Sequence, residues 1–300
     1  MRKSGLFAAV LILFLFPGLP ALELRMEGGM DNLAFDRGRT SALGAGAYDA
    51  NPLFTGSAEL SGDFAGYFRF NAGYERDPLL RNLVKAYVGM RQGYFNLELG
   101  PFIGVFNSGK GAPNPGLSFR AGLEYPGRVF LTLGGASTLG TGLSTAGDKA
   151  LQWGEVILGF YVPYVTCSLL MNTRNYKEME NPGLVLKDER TRYGFRAEVV
   201  SKSYPYVLQV DAGFQTLKRS YAGELFEPAP PSFTRTFDTD EIRSIYLGLG
   251  VNYQVARQWR IFLGGEMPVY TWGTSPLKKE KGAVFFQLSG GFIWTVPSDL

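Results

Sequence analysis

The chain has 300 residues and a nearly balanced charge, with 30 Lys and Arg residues against 27 Asp and Glu residues. That balance excludes an overall polybasic nucleic-acid binder and a disordered acidic tail. With no histidine and a single cysteine, the chain has no intrachain disulfide, no Ser-His-Asp or Cys-His hydrolytic site, no His-ligated haem and no cysteine- or histidine-based zinc site. Its 39 glycines, 14% aromatic residues and 19% charged residues favour side chains that alternate between lipid and water.

The N-terminus has the layout of an export signal. Arg2 and Lys3 precede an apolar run over residues 6–16 that is too short for a spanning helix. Proline, glycine and small residues follow, which predicts a signal peptide over residues 1–21 that is cleaved after Ala21. An uncleaved anchor helix is the alternative. No cysteine lies near the cleavage point, so a lipoprotein anchor is not expected.

Beyond the signal, apolar and polar residues alternate with a period of two, which predicts β-strands with one apolar face. The alternating segments are, in chain order, residues 22–35, 57–75, 84–90, 95–99, 117–125, 129–133, 156–162, 165–173, 190–200, 208–215, 241–256, 261–269 and 283–296. The clearest is 241–256, where one face is wholly apolar and the other carries glycines and amides. No segment has a helical apolar stripe over three turns, so we expect an all-β chain.

Two all-β architectures fit this alternation. A soluble sandwich would hide the apolar faces in a core, whereas a membrane barrel would turn them to lipid and enclose the polar faces. Strand segments of roughly 10–16 residues favour the barrel, because a tilted transmembrane strand needs about 9–11 residues. Aromatic residues near the segment ends are typical of interfacial girdles. These are Tyr74, Tyr87, Tyr94, Tyr125, Trp153, Tyr176, Tyr253, Trp259, Tyr270 and Trp272.

The connections also favour a barrel, since short and long ones alternate as they do in outer-membrane barrels. The short connections are residues 91–93, 126–127, 163–164, 201–206 and 256–258. The long ones are residues 107–116, 138–151, 177–188, 222–240 and 273–282. Counting back from the C-terminus with the long loops outside requires one additional strand after 22–35, and 42–48 is the candidate. We therefore predict a closed antiparallel up-and-down barrel of about 14 strands, with 12 as the alternative.

The polar faces predict which charges point inward. The inward bases are Arg69, Lys85, Arg91, Arg120, Arg174, Arg190, Arg192, Arg196 and Arg260, and the inward acids are Glu59, Asp63, Glu75, Glu98, Glu124, Glu155, Glu198, Asp211 and Glu266. From this set we predict that Arg69, Asp63, Glu98, Arg120, Arg190, Arg192, Arg196, Asp211, Arg260 and Glu266 line a pore. Arg190, Arg192 and Arg196 form either an anion-facing ladder or a ladder neutralised by Asp211 and Glu198.

Small inward residues leave two interpretations open. The inward glycines are Gly73, Gly89, Gly100, Gly122, Gly134, Gly194, Gly213, Gly248, Gly250 and Gly264. They either leave room for water in the lumen or permit twist and curvature of the sheet.

The last strand carries a family resemblance. In residues 283–296, Ser289, Gly291, Trp294 and Val296 match the barrel-assembly signal of bacterial outer-membrane β-barrel proteins, although the tail 297–300 departs from a terminal aromatic residue. Together with the predicted signal peptide and the alternating strands, the chain resembles small monomeric porins of that family. The resemblance implies a single barrel domain over residues 22–300, an outer-membrane location, contact with outer-membrane lipid and the barrel-assembly machinery, and passive diffusion of small hydrophilic solutes through a monomer.

Three other functions compete with a weakly selective pore. One is a non-conducting structural or surface-interaction barrel that presents extracellular loops such as 222–240. An outer-membrane enzyme is disfavoured, because such enzymes generally use a histidine base and this chain has none. A soluble exported sandwich is the third. We expect no enzymatic activity, no cofactor, no metal site and no nucleic-acid partner.

Overall fold

A computed structural model describes residues 21–31, 53–64, 67–77, 81–105, 114–139, 143, 147–181, 184–200, 205–228, 231–235, 239–273 and 286–296. The predicted signal peptide, apart from its last residue, and the predicted strand over 42–48 lie outside these ranges. Within the described ranges, no helix is long and apolar enough to cross a membrane.

The described chain is built of antiparallel strands. Their bounds are β1 (Ala21–Asp31), β2 (Leu53–Phe64), β3 (Phe68–Asp77), β4 (Arg81–Gln92), β5 (Phe95–Val105), β6 (Asn114–Tyr125), β7 (Val129–Thr138), β8 (Lys149–Val162), β9 (Val165–Asn181), β10 (Leu184–Val200), β11 (Tyr206–Pro228), β12 (Pro231–Arg235), β13 (Thr239–Ala256), β14 (Trp259–Gly273) and β15 (Gln287–Val296). Apart from β12, each strand pairs with its neighbour along the chain, and β15 pairs with β1. The sheet therefore closes into the predicted up-and-down barrel of 14 strands, and the 12-strand alternative is wrong.

The strand that completes this count is not the one predicted. Residues 57–75 belong to two strands, β2 and β3, which reverse at a turn beside Tyr67 and pair Phe64 with Phe68. The two positions are four apart, so apolar residues fall on even positions both before and after the turn. The sequence pattern therefore gives no sign that the chain reverses there. β1 pairs directly with β2, Leu24 opposite Leu60, which leaves no place for another strand between them.

The two ends of the barrel differ in their connections. Tight turns join β4 to β5, β6 to β7 and β8 to β9, with positive φ at Gly93, Gly127 and Tyr164 respectively. This turn end also holds the start of β1 and the end of β15, where Leu22 pairs with Val296. We call the opposite end the loop end. In outer-membrane barrels the short turns face the periplasm and the longer loops face outward.

Two of the long loops predicted at the loop end are wrong. Where a loop over 177–188 was expected, β9 continues to Asn181 and β10 starts at Leu184, so the two form an extended hairpin. Where a loop over 222–240 was expected, β11 continues to Pro228 and pairs with β12 beyond the closed sheet. In both places the strand pairing continues through residues that composition alone does not distinguish from a loop.

The outer face of the barrel is an apolar surface. Val88, Leu249 and Leu263 lie on three different strands and are 61%, 70% and 64% exposed. Monomeric soluble proteins rarely expose contiguous apolar patches above a few hundred Å², whereas a transmembrane barrel presents such a band to lipid. The apolar faces of the strands thus point outward and the polar faces inward, the reverse of a soluble sandwich.

Aromatic side chains pair near both ends of the outer face. At the turn end the rings of Tyr94 and Tyr125 are 5.2 Å apart, and Trp259 stacks on Trp294 at 5.9 Å. At the loop end the rings of Tyr270 and Trp272 are 5.4 Å apart. This placement is typical of interfacial girdles.

Three of the aromatic residues assigned to these girdles lie elsewhere. Tyr87 and Tyr176 are almost completely buried inside the barrel, and Trp153 packs against the cluster that contains Tyr176. Each occupies an inward position of its strand, in phase with inward charged residues such as Lys85 and Arg174. For these residues, the odd or even position along the strand predicts the face on which the ring lies better than proximity to a strand end does.

Candidate functional site: the barrel lumen

The polar faces of the strands enclose a cavity of about 750 Å³. Seven of the ten predicted pore-lining residues are on its wall, namely Arg120, Arg190, Arg192, Arg196, Asp211, Arg260 and Glu266. The other three, Arg69, Asp63 and Glu98, form their own group of ion pairs, with the Arg69 Nε 3.7 Å from Asp63 and 3.6 Å from Glu98. Of the remaining inward charges, Glu59, Glu75, Lys85, Glu155, Arg174 and Glu198 also line the cavity. Arg91 and Glu124 are exposed instead.

Acidic and basic residues are equally numerous on the cavity wall. The acids are Glu27, Asp31, Glu59, Glu75, Asp77, Glu155, Glu198, Asp211 and Glu266, and the bases are Arg25, Arg76, Lys85, Arg120, Arg174, Arg190, Arg192, Arg196 and Arg260. Sequence reasoning missed Arg25, Glu27, Asp31, Arg76 and Asp77. Arg25, Glu27 and Asp31 on β1 all occupy odd positions and therefore lie on one face of the strand. Assigning inward and outward faces to residues 22–35 by their alternation would have found them.

Ion pairs cross the lumen at the level of Arg174. This side chain on β9 contacts Glu75 at 3.1 Å and also Asp77, both on β3, six strands away around the barrel. An arginine–aspartate pair spans at most about 14 Å between Cα atoms, whereas a circular barrel of this strand number would be about 28 Å across. The lumen is therefore flattened at this level, with the β3 and β9 walls drawn together.

The arginines of β10 are also paired with carboxylates. The Arg190 Nη1 lies 3.5 Å from Asp31 on β1, and the Arg192 Nη2 lies 2.6 Å from Glu266 on β14. Arg196 Nε donates to Asp211 on the neighbouring strand at 2.7 Å. Asp211 is one of the two neutralising acids named from the sequence, while the partners of the other two arginines come from across the lumen. The three arginines are thus a neutralised ladder.

Cations on the other side of the lumen contact aromatic rings as well as acids. Arg120 is 3.1 Å from Glu59 and its guanidinium lies 4.9 Å from the centroid of Tyr87. Lys85 pairs with Glu75 and lies 5.1 Å from the ring of Trp153. Cation–π contacts of this kind hold long side chains in one place against the wall.

An apolar cluster occupies part of the lumen near the loop end. Leu83, Phe102, Leu151 and Tyr176 pack together and are at most 1% exposed, with Ala136 and Trp153 against them. Because β4 and β9 are five strands apart, the cluster bridges the lumen. The alternation argument, which assigned apolar residues to the lipid face, did not anticipate an apolar core inside the barrel.

Ring packing accounts for two of the inward glycines. The ring of Tyr246 on β13 lies across Gly213 on β11 and Gly194 on β10, and a Cβ at either position would overlap the tyrosine hydroxyl. The guanidinium of Arg192 lies 4.3 Å from the centroid of the same ring. These two glycines therefore accommodate a ring, and the interpretation that they leave room for water is wrong for them. Gly73, Gly250 and Gly264 do line the cavity.

The residues of the predicted assembly signal lie on both faces of β15. Ser289 lines the cavity, and Gly291 lies against the ring of Phe262. Trp294 takes part in the stacked pair with Trp259, and Val296 ends the pairing with β1. Recognition of these residues by assembly machinery stays a prediction.

Similarity to known proteins is found among solved structures of outer-membrane proteins, at TM-scores below 0.5. No protein-family model matches the sequence, and no curated protein is similar to it. Among solved structures it is similar to an outer-membrane channel from Pseudomonas putida F1, with 9% identity, coverage of 92% of this chain and 95% of the channel, and a TM-score of 0.47. It is also similar to an anion-selective porin from Comamonas acidovorans, with 10% identity, coverage of 92% and 98%, and a TM-score of 0.41. A bacterial polysaccharide outer membrane secretin shares 13% identity, with coverage of 92% and 98% and a TM-score of 0.42.

The described residues contain no group of three or more cysteine, aspartate or glutamate side chains that could hold a metal ion. The lumen offers ion pairs, amides and aromatic rings arranged around a cavity. The molecule is a closed antiparallel barrel of 14 strands with the apolar exterior and charged interior of an outer-membrane barrel.

Proposed function

We propose that this barrel is an outer-membrane pore through which small hydrophilic solutes diffuse passively. The observation that carries the proposal is the charge-lined cavity of about 750 Å³ inside a barrel whose exterior suits lipid. Water and polar solutes are stable against such a wall, and lipid is stable outside it. Because the barrel closes within one chain, a monomer is sufficient for the function.

Weak selectivity is supported by the balance of charge along the cavity. Nine acidic and nine basic residues line it, and Arg174 and the three arginines of β10 each contact a carboxylate. A permeating anion and a permeating cation therefore meet compensated charges. The ion pairs at the Arg174 level would limit the size of the solutes that pass rather than their sign.

A non-conducting barrel that presents its loop end to partners is the second candidate. It is favoured by the apolar cluster of Leu83, Phe102, Leu151 and Tyr176, which is buried across the lumen near the loop end. The β11–β12 hairpin, which continues beyond the closed sheet, supplies a surface for such a role.

Conductance of the purified chain in a planar lipid bilayer distinguishes the two candidates. In KCl the pore proposal expects discrete openings, and a reversal potential close to zero under a salt gradient because the lumen charges compensate. A barrel that inserts, shows a heat-dependent shift in gel mobility and stays silent would contradict the pore and support the non-conducting barrel. Strong anion or cation selectivity would contradict the proposed weak selectivity.

We propose further that the chain is exported by the signal peptide over residues 1–21, is inserted by barrel-assembly machinery and has no enzymatic activity. The outward apolar band supports insertion in a membrane. Membrane fractionation together with N-terminal sequencing tests the first part, with recovery in the outer membrane and a mature start at Leu22 expected. Recovery in a soluble fraction would contradict it.

A further inference from the structure

Three polar residues lie side by side on the cavity wall toward the loop end. Asp31 on β1 pairs with Gln287 on β15, and Gln287 pairs with Glu266 on β14. All three line the cavity. Directly opposed residues of antiparallel strands have Cβ atoms about 4.5–5.5 Å apart. They therefore form a carboxylate–amide–carboxylate sequence on the wall, which we call the polar row.

Two arginines of β10 contact the two ends of the polar row. Arg190 reaches Asp31 and Arg192 reaches Glu266, from a strand that lies five and three positions away around the barrel. Each carboxylate of the row is thereby matched by one guanidinium. The two carboxylates and the two arginines therefore compensate each other's charge, and they attract neither an anion nor a cation strongly.

Two buried polar atoms of this group make no hydrogen bond within the protein. They are the Arg190 Nε, which can only donate, and the Gln287 Oε1, which can only accept. A hydroxyl group both donates and accepts, so a molecule with several hydroxyls can satisfy both atoms. An ammonium group cannot accept from Arg190, and a carboxylate cannot donate to Gln287.

The arginine at the other end of the row is held in place before any ligand arrives. Arg192 lies over the Tyr246 ring, and that ring is fixed against Gly194 and Gly213. A side chain whose conformation is already restricted loses less entropy when a ligand binds. Arg192 is thus preorganised for binding.

We infer that the polar row and its two arginines bind an uncharged, hydroxyl-rich small molecule, a sugar or polyol. The cavity volume of about 750 Å³ lies within the usual range of small-molecule sites, about 300–1,000 Å³. The inference rests on the proposed pore function for the route by which the solute arrives, and it assigns to that pore a solute class and a binding site.

Saturation-transfer NMR on the purified full-length barrel in detergent tests this, with glucose, gluconate and glucosamine as neutral, anionic and cationic probes on one carbon skeleton. We expect glucose to bind more tightly than the other two, because their added charge meets no uncompensated partner among these residues. Gln287→Met removes the amide at similar size, and Arg190→Lys keeps the charge opposite Asp31 but removes Nε. Each should weaken glucose binding about tenfold, the effect of one lost hydrogen bond at a buried site. The control Gln152→Met, at an exposed position, should leave it unchanged.

The outcomes separate this inference from the pore itself. Absence of glucose binding, tighter binding of gluconate or glucosamine, or an equal loss in the Gln152 control would each overturn the inference. If glucose fails to bind while the bilayer conducts, the inference is wrong and the pore stands. If glucose binds and the variants weaken it while the bilayer stays silent, the inference stands and the pore is wrong.

Discussion

Substituting the most deeply buried arginine in the described part of the barrel should be strongly destabilising. Arg219 on β11 donates to Asp188 on β10 through Nε at 2.7 Å and through Nη2 at 2.9 Å. The two residues oppose each other directly in the sheet, and their side chains are 1% and 0% exposed. Arg219→Met removes the guanidinium and leaves the Asp188 carboxylate without that partner in a region that bulk water does not reach.

The expected cost follows from that burial. Removing one partner of a buried ion pair typically costs about 3–5 kcal/mol, because the remaining charge loses that counter-charge without gaining water in its place. That corresponds to a shift of roughly two to four orders of magnitude in the unfolding equilibrium constant. The double variant Asp188→Asn, Arg219→Met removes both charges and should recover a large part of the loss.

A control variant at an exposed ion pair shows whether the loss of stability depends on burial or only on the geometry of the pair. Arg243 Nε donates to Glu241 at 2.6 Å, nearly the same distance, but its side chain is 48% exposed. Arg243→Met should leave the unfolding midpoint close to that of the parent, because exposed ion pairs contribute little. The assay is guanidinium-induced unfolding in lipid vesicles, followed by tryptophan fluorescence. Equal destabilisation by Arg219→Met and Arg243→Met, or no recovery in the double variant, would refute the reasoning.

Three further outcomes follow from the structure. Leu249→Arg, on the exposed apolar face, should lower the free energy of unfolding in vesicles by about 2–4 kcal/mol; an unchanged value would show that this face does not meet hydrocarbon. Gly194→Ala should destabilise the barrel because its Cβ would overlap the Tyr246 hydroxyl, and Tyr246→Phe should restore part of the loss in the same unfolding assay, whereas no restoration would contradict the ring packing. Trp294→Ala should reduce the heat-modifiable barrel recovered from outer membranes, if the assembly signal and the stacked pair with Trp259 are as described; an unaltered yield would argue against that role.

Much of the architecture follows from the sequence because a barrel imposes one simple rule, alternation between lipid and lumen. That rule predicted the closed antiparallel barrel, the strand number and the inward side of most charges. It failed at Phe64 and Phe68, where the pattern stays in phase through a reversal of the chain. It also failed at Leu83 and Phe102, which are apolar but point into the lumen. From the sequence alone, such a residue cannot be told from an interruption of the alternation.

The partners of the lumen charges could not have been predicted. Arg196 and Asp211 lie on neighbouring strands, so their pairing was within reach of a sequence argument. Arg190 and Asp31 are 159 positions apart in the chain and meet only because the lumen is flattened. Alternation specifies the face on which a side chain lies, but the distance between opposite walls depends on how all the inward side chains pack together.

The central claim is that ion pairs between the β3 and β9 walls narrow a water-filled pore. The single-channel conductance of Arg174→Ala tests it most directly. The variant removes the contacts with Glu75 and Asp77 across the lumen, and heat-modifiable gel mobility verifies that it folds. Arg128→Ala, at a turn-end arginine beside Tyr125, is the control. We predict larger conductance for Arg174→Ala than for the parent, with no change for Arg128→Ala. A folded Arg174→Ala barrel whose conductance equals that of the parent would contradict the claim.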